Sequence, residues 1–291
     1  MREWVAINGE LKSADEARVS VFDSGFMQGI GLFETMRAYQ GRVFRIGRHL
    51  DRLIRSARQL GWATLPEPEE MREAVSAVLG ACEQAEARVR LTVTTGSLRA
   101  AVDSEEAPRL TIVASATDSR SGGYDSRLYE KGVIAAVSRY RQNPFDPTTG
   151  HKTTSYFSRL ASLREAVAAG AIESIWFTLD QHLAEGAISN VFLVKNDVLY
   201  TPPVETPVLP GITRAAVLEL AKVLRIDVSE SPLTLDDVLG ADEMFVTNSM
   251  MEVLPVIQLE KERIGDGKPG DVTAQLLNAY RATVAEESND G

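Results

Sequence analysis

Gly150-His151-Lys152-Thr153-Thr154-Ser155-Tyr156 sets a lysine at the mouth of an amphipathic segment, in a chain that uses arginine at most of its basic positions. Behind it, Tyr156, Leu160, Leu163 and Val167 recur at spacings of 4, 3 and 4, the repeat of an apolar helix face. Ahead of it lie a strand-like run over 132–137 and a turn-rich loop through Pro144 and Pro147. A lysine in such a place is ordinarily a solvated amine. Here a separate loop, Glu185-Gly186-Ala187-Ile188-Ser189-Asn190, offers a lone acidic residue, and the two together suggest an amine poised for Schiff-base chemistry.

Downstream, strands are expected over 174–179, 191–194 and 198–200. Pro210-Gly211-Ile212-Thr213 then leads into a helix with Val217, Leu220, Ala221 and Leu224 on its core face and Thr213 as the N-cap. Met244-Phe245-Val246-Thr247 reads as a strand running into Asn248-Ser249, and a last helix contains Val272, Leu276, Leu277 and Tyr280. Upstream, the chain reads as two hairpins turning at Asn8-Gly9 and Gln40-Gly41. Helices follow from about Gly47 to Leu60 and from about Pro68 to Cys82. Arg88-Val89-Arg90-Leu91-Thr92-Val93-Thr94 alternates polar with apolar, the period of a half-buried strand, and 110–115 is its expected partner. The one long stretch without apolar periodicity falls between Ala116 and Arg127. The division expected is therefore an N-terminal domain over 1–117, a linker over 118–128 and a C-terminal domain over 129–291. Helices and strands are mixed in both halves without the regular alternation of a doubly wound sheet, so the fold class is α+β.

Length and composition bound the function. At 291 residues the chain reaches the size at which a single core stops growing, which favours two domains. A hydrophobic content of 44% with 25% charged residues is that of a soluble globular protein. No run approaches the ~18 apolar residues a membrane span requires. Met1-Arg2-Glu3-Trp4 opens without a signal-peptide core, and a cytoplasmic protein is expected. Cys82 is the single cysteine, which excludes an internal disulfide framework and a cysteine-based metal site. His49, His151 and His182 lack ligand spacing, so no metal is expected. A net charge of -10 argues against nucleic acid as a partner. Small-molecule chemistry remains.

Two further features bear on that chemistry. Gly211-Ile212-Thr213 stands at a helix start, where free N–H groups and the helix dipole favour an anion, although an ordinary capped helix has the same sequence. Arg52 adds a guanidinium able to hold phosphate bidentately, among Arg45, Arg48 and Arg55, which cannot all have special roles. The glycines of Gly25-Phe26-Met27-Gln28-Gly29-Ile30-Gly31 lack the spacing of a dinucleotide fingerprint or a P-loop and read as a tight turn or a close backbone approach.

Over nearly its whole length the chain resembles the class IV aminotransferase family, the pyridoxal-phosphate enzymes of fold type IV. The resemblance is carried by Phe22-Asp23-Ser24-Gly25-Phe26, Gly29-Ile30-Gly31-Leu32-Phe33-Glu34-Thr35, Arg48-His49-Leu50-Asp51-Arg52-Leu53, His151-Lys152, Glu185-Gly186-Ala187-Ile188-Ser189-Asn190-Val191-Phe192, Pro210-Gly211-Ile212-Thr213-Arg214 and Asp242-Glu243-Met244-Phe245-Val246-Thr247-Asn248-Ser249. It implies a two-domain α+β fold, with an N-terminal α/β sandwich and a C-terminal mixed or barrel-like sheet with helices. It implies pyridoxal 5'-phosphate as cofactor, with Lys152 forming the Schiff base and shuttling the proton at the substrate carbon. Glu185 would face the pyridine nitrogen and keep it protonated, which makes the ring an electron sink. Arg52, Ile212, Thr213, Asn248 and Ser249 would grip the phosphate. Arg139 and Tyr156 are candidates to approach the phenolate oxygen, Tyr156 being equally readable as a helix-face core residue. The family further implies a homodimer acting on a small-molecule amine or amino acid, with neither nucleic acid nor membrane as a partner.

The family divides into branched-chain transaminases, D-amino acid transaminases and aminodeoxychorismate lyases. Here the resemblance leans to the lyases, which release pyruvate and 4-aminobenzoate in folate biosynthesis. It leans there through Phe33-Glu34-Thr35, Ala87-Arg88-Val89-Arg90-Leu91 and Thr247-Asn248-Ser249, and because Tyr156 follows Lys152 by 4 positions, where branched-chain enzymes usually carry an extra residue. A branched-chain or D-amino acid aminotransferase is the alternative. Arg99 follows the Thr94-Thr95-Gly96 turn as in the D-amino acid type, without the histidine that usually accompanies it. A non-catalytic protein binding a cofactor or phosphorylated metabolite is a third reading. Lys152 and Glu185 together count against it, since binding alone needs neither.

Overall fold

The computed structural model describes residues 3–82, 84–97, 109–118 and 124–289. The chain forms two compact units, one of Met1–Gly123, His151–Ser155 and Glu287–Gly291, the other of Tyr124–Gly150 and Tyr156–Glu286. Lys152 thus belongs to the first unit, in a short segment whose flanking residues belong to the second. Of the stretch 118–128 expected as a linker, Asp118 ends a strand, Ser126 opens a short helix, and 119–123 lie outside the described residues, as does Arg99.

In the first unit the turn chemistry acts as expected. β1 (Trp4–Ile7) and β2 (Glu10–Ser13) are joined at Asn8 (φ 48) and Gly9 (φ 84), and β3 (Gly31–Tyr39) and β4 (Arg42–Val43) at Gln40 (φ 51) and Gly41 (φ 79). Both turns have the paired left-handed residues that match strand twist. With β5 (Glu86–Thr94) and β6 (Thr111–Asp118) they build a six-stranded antiparallel sheet in the order β2-β1-β6-β5-β3-β4. The glycine cluster forms a short helix, α1 (Ser24–Gln28), closed by Gly29 at φ 70. The close approach expected there is real, because a Cβ at Gly25 would collide with Thr94 Cγ2. Helices α2 (Ile46–Gln59) and α3 (Pro68–Ala81) pack on the sheet.

Period-2 alternation divides β3 between two environments. Leu32, Glu34, Met36 and Ala38 stand opposite Val93, Leu91, Val89 and Ala87 of β5, and all of these except Glu34 belong to the apolar core. Phe33 and Thr35 project to the other side, as Arg88, Arg90 and Thr92 do from β5. A carboxylate in the core stripe is costly unless it is paired, and α2 supplies the partners.

The second unit begins with α4 (Ser126–Lys131), β7 (Val133–Gln142), α5 (Phe157–Ala168), β8 (Glu173–Thr178), β9 (Leu183–Gly186), β10 (Asn190–Lys195) and β11 (Val198–Thr201). It continues with α6 (Ile212–Val223), β12 (Val228–Glu230), α7 (Leu235–Leu239), β13 (Glu243–Asn248), β14 (Glu252–Leu259), β15 (Glu262–Arg263) and α8 (Asp271–Asn289). Its mixed sheet runs β12-β11-β10-β13-β14-β7-β8-β9, with β15 beside β14. The terminal strand β9 returns against β10, so the sheet curls toward a barrel, as expected for this α+β class. β8 is buried along its whole length and β10 in all but its last residue, as in strands covered on both faces.

The face expected of α5 is corrected. Leu160 (45% exposed) and Val167 (57%) point outward, whereas Ser162 and Ala166 are buried. The helix lies against β7 and β8 through small side chains because Trp176 of β8 fills the space beneath it, its indole N–H donating to Ser162 Oγ at 2.9 Å.

Candidate active site

In the first unit, the segment around Lys152 is registered on the start of β3 by a dense set of bonds. The Phe33 N–H donates to the Lys152 carbonyl at 2.9 Å, Leu32 and Thr153 form an antiparallel bridge, and the Thr154 N–H donates to the Gly31 carbonyl at 2.8 Å. The Thr154 hydroxyl donates to the Gly29 carbonyl at 2.7 Å, and His151 Nδ1 lies 2.9 Å from Ser56 Oγ of α2. Gly31 is required here, since a Cβ would lie 2.9 Å from Thr154 Oγ1. The lysine backbone is thus held like an extra strand. Its half-buried side chain places Nζ 4.3 Å from the centre of the Phe33 ring, and Arg90 places its guanidinium 3.9 Å from the same ring. An amine and a guanidinium therefore both approach one aromatic ring.

On the core side, Glu34, His49 and Arg52 are 1%, 1% and 6% exposed. Arg52 donates to both carboxylate oxygens, from Nε at 2.9 Å and from Nη2 at 2.5 Å. Burial works to raise the Glu34 carboxyl, but the Arg52 guanidinium and the His49 ring outweigh it and hold it at about 2. Burial pushes His49 down, so the neutral ring donates its Nδ1–H to Glu34 Oε2 at 2.8 Å. Arg52 is an oriented, permanently charged group rather than a solvated helix residue.

In the second unit, Glu185 lies one residue before the end of β9 with both oxygens engaged. Oε1 accepts from Arg159 Nη2 at 2.8 Å, and Oε2 accepts from the Leu209 N–H at 2.9 Å. Arg159 also lies 4.2 Å above the Trp176 ring. Behind the loop is Glu173, fully buried and pushed up by that burial, which accepts from the N–H groups of Ser174 (2.8 Å) and Ala187 (3.0 Å) and from Ser189 Oγ (2.6 Å). Tyr156, at the foot of α5, donates its hydroxyl to the Ala187 carbonyl at 2.9 Å.

The expected anion seat lies in this unit too, with one correction. Gly211, not Thr213, is the N-cap of α6, and no side chain caps the helix, so its first N–H groups are not bonded by a capping oxygen. Ile212 and Thr213 form the first turn, both buried. The start of α6 is packed against Asn190: a Cβ on Gly211 would collide with Asn190 Oδ1, and Asn190 Nδ2 donates to the Leu209 carbonyl at 2.9 Å. Asn190 pairs across the sheet with Thr247, which is 1% exposed and whose hydroxyl has no hydrogen-bond partner among the described residues. A buried hydroxyl without a partner is unfavourable unless a ligand completes it. An uncapped helix start beside an orphaned hydroxyl suits the oxygens of a phosphate, and in this respect the residues fit pyridoxal phosphate.

The remaining expected residues stand elsewhere or have other tasks. Asn248 donates to the Ile188 carbonyl at 3.0 Å and accepts from the N–H groups of Met250 and Met251 at 2.8 Å each, so its side chain clamps the turn containing Ser249. Arg139 projects from the solvent side of β7, where its side chain is 71% exposed and pairs with Glu165 at 2.6 Å. Sequence reasoning missed Glu34, His49, Arg90, Arg159 and Glu173 as contributors. For Glu34 a signal existed, a charge inside an alternating apolar stripe. For Arg159 none did, since its partners are set by the tertiary packing of α5. Among the described residues no group of His, Cys, Asp and Glu could hold a metal, and no helix is long and apolar enough to cross a membrane.

Known proteins match the chain along nearly its whole length. A putative branched-chain-amino-acid aminotransferase of Methanocaldococcus jannaschii is 34% identical over 278 residues, covering 95% of each chain. The aminodeoxychorismate lyase of Bacillus subtilis is 29% identical over 282 residues, covering 96% of this chain and 94% of that one. The T.th. branched-chain amino acid aminotransferase, solved with pyridoxamine 5'-phosphate, superposes with a TM-score of 0.90 at 28% identity, over 99% of this chain and 97% of the other. The Amino-transferase class IV family model matches residues 31–259, a span that contains Lys152, Glu185 and the start of α6, and the chain belongs to that family.

Proposed function

We propose that the protein is a pyridoxal-phosphate-dependent aminotransferase acting on amino acids of the branched-chain type. The observation that carries this reading is the fixed placement of Lys152, whose backbone is locked to β3 and whose Nζ lies over Phe33 at 4.3 Å. When bound, the cofactor supplies an aldehyde that condenses with an amine and a ring that accepts the electron pair left on the adjacent carbon. In this reading Lys152 carries the cofactor and holds the proton removed from the substrate carbon that bears nitrogen. Arg90, on the same Phe33 ring, offers its guanidinium to a substrate carboxylate. Arg52, kept charged and oriented by Glu34, is a phosphate-binding group of the first unit. In the second unit that role falls to the first turn of α6 at Ile212 and Thr213 and to the hydroxyl of Thr247. Asn248 and Ser249 shape the turn beside it. Glu185 holds the proton of the ring nitrogen, and Tyr156 faces the phenolate oxygen.

The 34% relative favours an aminotransferase over the lyase toward which the sequence motifs lean, and the 29% relative keeps the lyase as the second reading. A homodimer is part of the same proposal. What supports it is the exposure of apolar side chains in and just before α1, where Phe26, Met27 and Val21 are 75%, 56% and 62% exposed.

The test begins with loading. The holoenzyme should show a visible band that borohydride abolishes, with the label recovered on Lys152, and L-isoleucine should convert the cofactor to its amine form while 2-oxoglutarate restores it. Release of pyruvate from aminodeoxychorismate, with no response to amino acids, would replace the aminotransferase by the lyase. A protein that stays colourless with excess cofactor would remove both.

A further inference from the structure

We infer that Arg159 is a positioning residue that sets how tightly Glu185 holds the proton of the cofactor's ring nitrogen; the inference rests on the pairing of Glu185 with that nitrogen proposed above. Arg159 Nη2 donates to Glu185 Oε1 at 2.8 Å, and the two side chains are only 15% and 9% exposed, so water screens the pair weakly. The guanidinium is fixed from several directions. It lies on the Trp176 indole at 4.2 Å, its Nη1 donates to the Gly186 carbonyl at 3.2 Å, and its Nη2 also donates to Gln142 Oε1. Gln142 is itself tied to the Pro207 carbonyl, and Tyr140 stacks on Trp176 at 5.8 Å between ring centres. A rotameric, solvated arginine would be a surface partner of little consequence. This one is built in.

The electrostatic consequence follows from the sign of the charge. A carboxylate alone beside a ring nitrogen stabilises the protonated ring; a fixed guanidinium on one of its oxygens opposes part of that stabilisation. Among the described residues, titratable groups at this carboxylate's loop include Glu173 from β8, which accepts from Ser174, Ala187 and Ser189, and Tyr156, whose hydroxyl donates to the Ala187 carbonyl. Neither brings a second cation. Arg159 is a cation bonded directly to Glu185, and its removal raises the proton affinity of the nitrogen that Glu185 faces.

The experiment uses holoenzyme loaded with ring-15N pyridoxal phosphate and follows the ring-nitrogen resonance against pH in the wild type, Arg159→Lys, Arg159→Met and Glu185→Gln. The pH at which the ring nitrogen loses its proton should rise by on the order of one unit in Arg159→Met. In Arg159→Lys, which keeps the charge, it should stay within ~0.3 units. Each variant is first shown to bind cofactor by its visible band, and Arg159→Gln replaces the methionine variant if that one does not fold. An unchanged or lowered midpoint in the uncharged variants, including no difference from wild type across the stable pH range, overturns the inference. If Glu185→Gln leaves the wild-type midpoint unmoved, the underlying assignment of Glu185 fails instead.

Discussion

Glu34→Gln preserves the volume of the side chain and removes its charge, leaving Arg52 buried opposite a neutral amide. Two independent routes give the size of the effect. The carboxyl is held at about 2 against an ordinary 4.5, a difference that corresponds to about 3 kcal/mol of folding free energy at neutral pH. Removing one partner of a buried ion pair costs ~3–5 kcal/mol, because the other charge is left uncompensated. A loss of about 3–4 kcal/mol is therefore expected, or roughly 10 °C in the midpoint of thermal unfolding for a chain of this length. Urea unfolding of the cofactor-free protein at neutral pH measures it, alongside Arg52→Met and the double variant. The double variant should be clearly more stable than the sum of the single changes requires, since it removes both charges. The pH dependence has a definite sign. The folded-state value lies below the unfolded one, so this contribution is complete above about pH 4.5 and is lost as pH falls toward 2. Glu34→Gln lacks that slope. A loss under about 1 kcal/mol, with additive single and double variants, would refute the reasoning.

Thr247→Val separates binding from stability. Removing an orphaned buried hydroxyl should leave the cofactor-free protein as stable or slightly more so, while the affinity for pyridoxal phosphate falls about 10-fold to 100-fold; unchanged affinity in equilibrium dialysis would detach Thr247 from the phosphate. Gly211→Ala tests the α6 start, where the backbone (φ -64) accepts alanine but the new methyl would collide with Asn190 Oδ1. The displaced Asn190 supports the Leu209 peptide whose N–H bonds Glu185, so a loss of about 1–3 kcal/mol with weaker cofactor binding is expected; calorimetry and a cofactor titration that both match wild type would show the packing to be yielding.

What could be read from residue order was local. Asn8-Gly9 and Gln40-Gly41 take left-handed turns because little else tolerates them, and β5 alternates because one of its faces meets a core. The helices at 46–59 and 68–81 come within about a residue of their expected ends because an apolar stripe and a proline start are properties of neighbouring residues. Lys152 and the α6 start stand out for the same reason: each lies in a short segment whose composition is unusual for its place, and Glu185 stands out likewise although it lies in β9 and not in the loop expected there. Tertiary structure alone decided the rest. Glu34 meets Arg52, Arg159 meets Glu185 and Asn190 meets Thr247 across 18, 26 and 57 positions of chain, and those meetings depend on strand register and on the face by which a helix docks. A helix of small buried residues over a tryptophan turns Leu160 outward and Arg159 inward, against its own hydrophobic pattern, because the space available is set by the sheet and not by the helix.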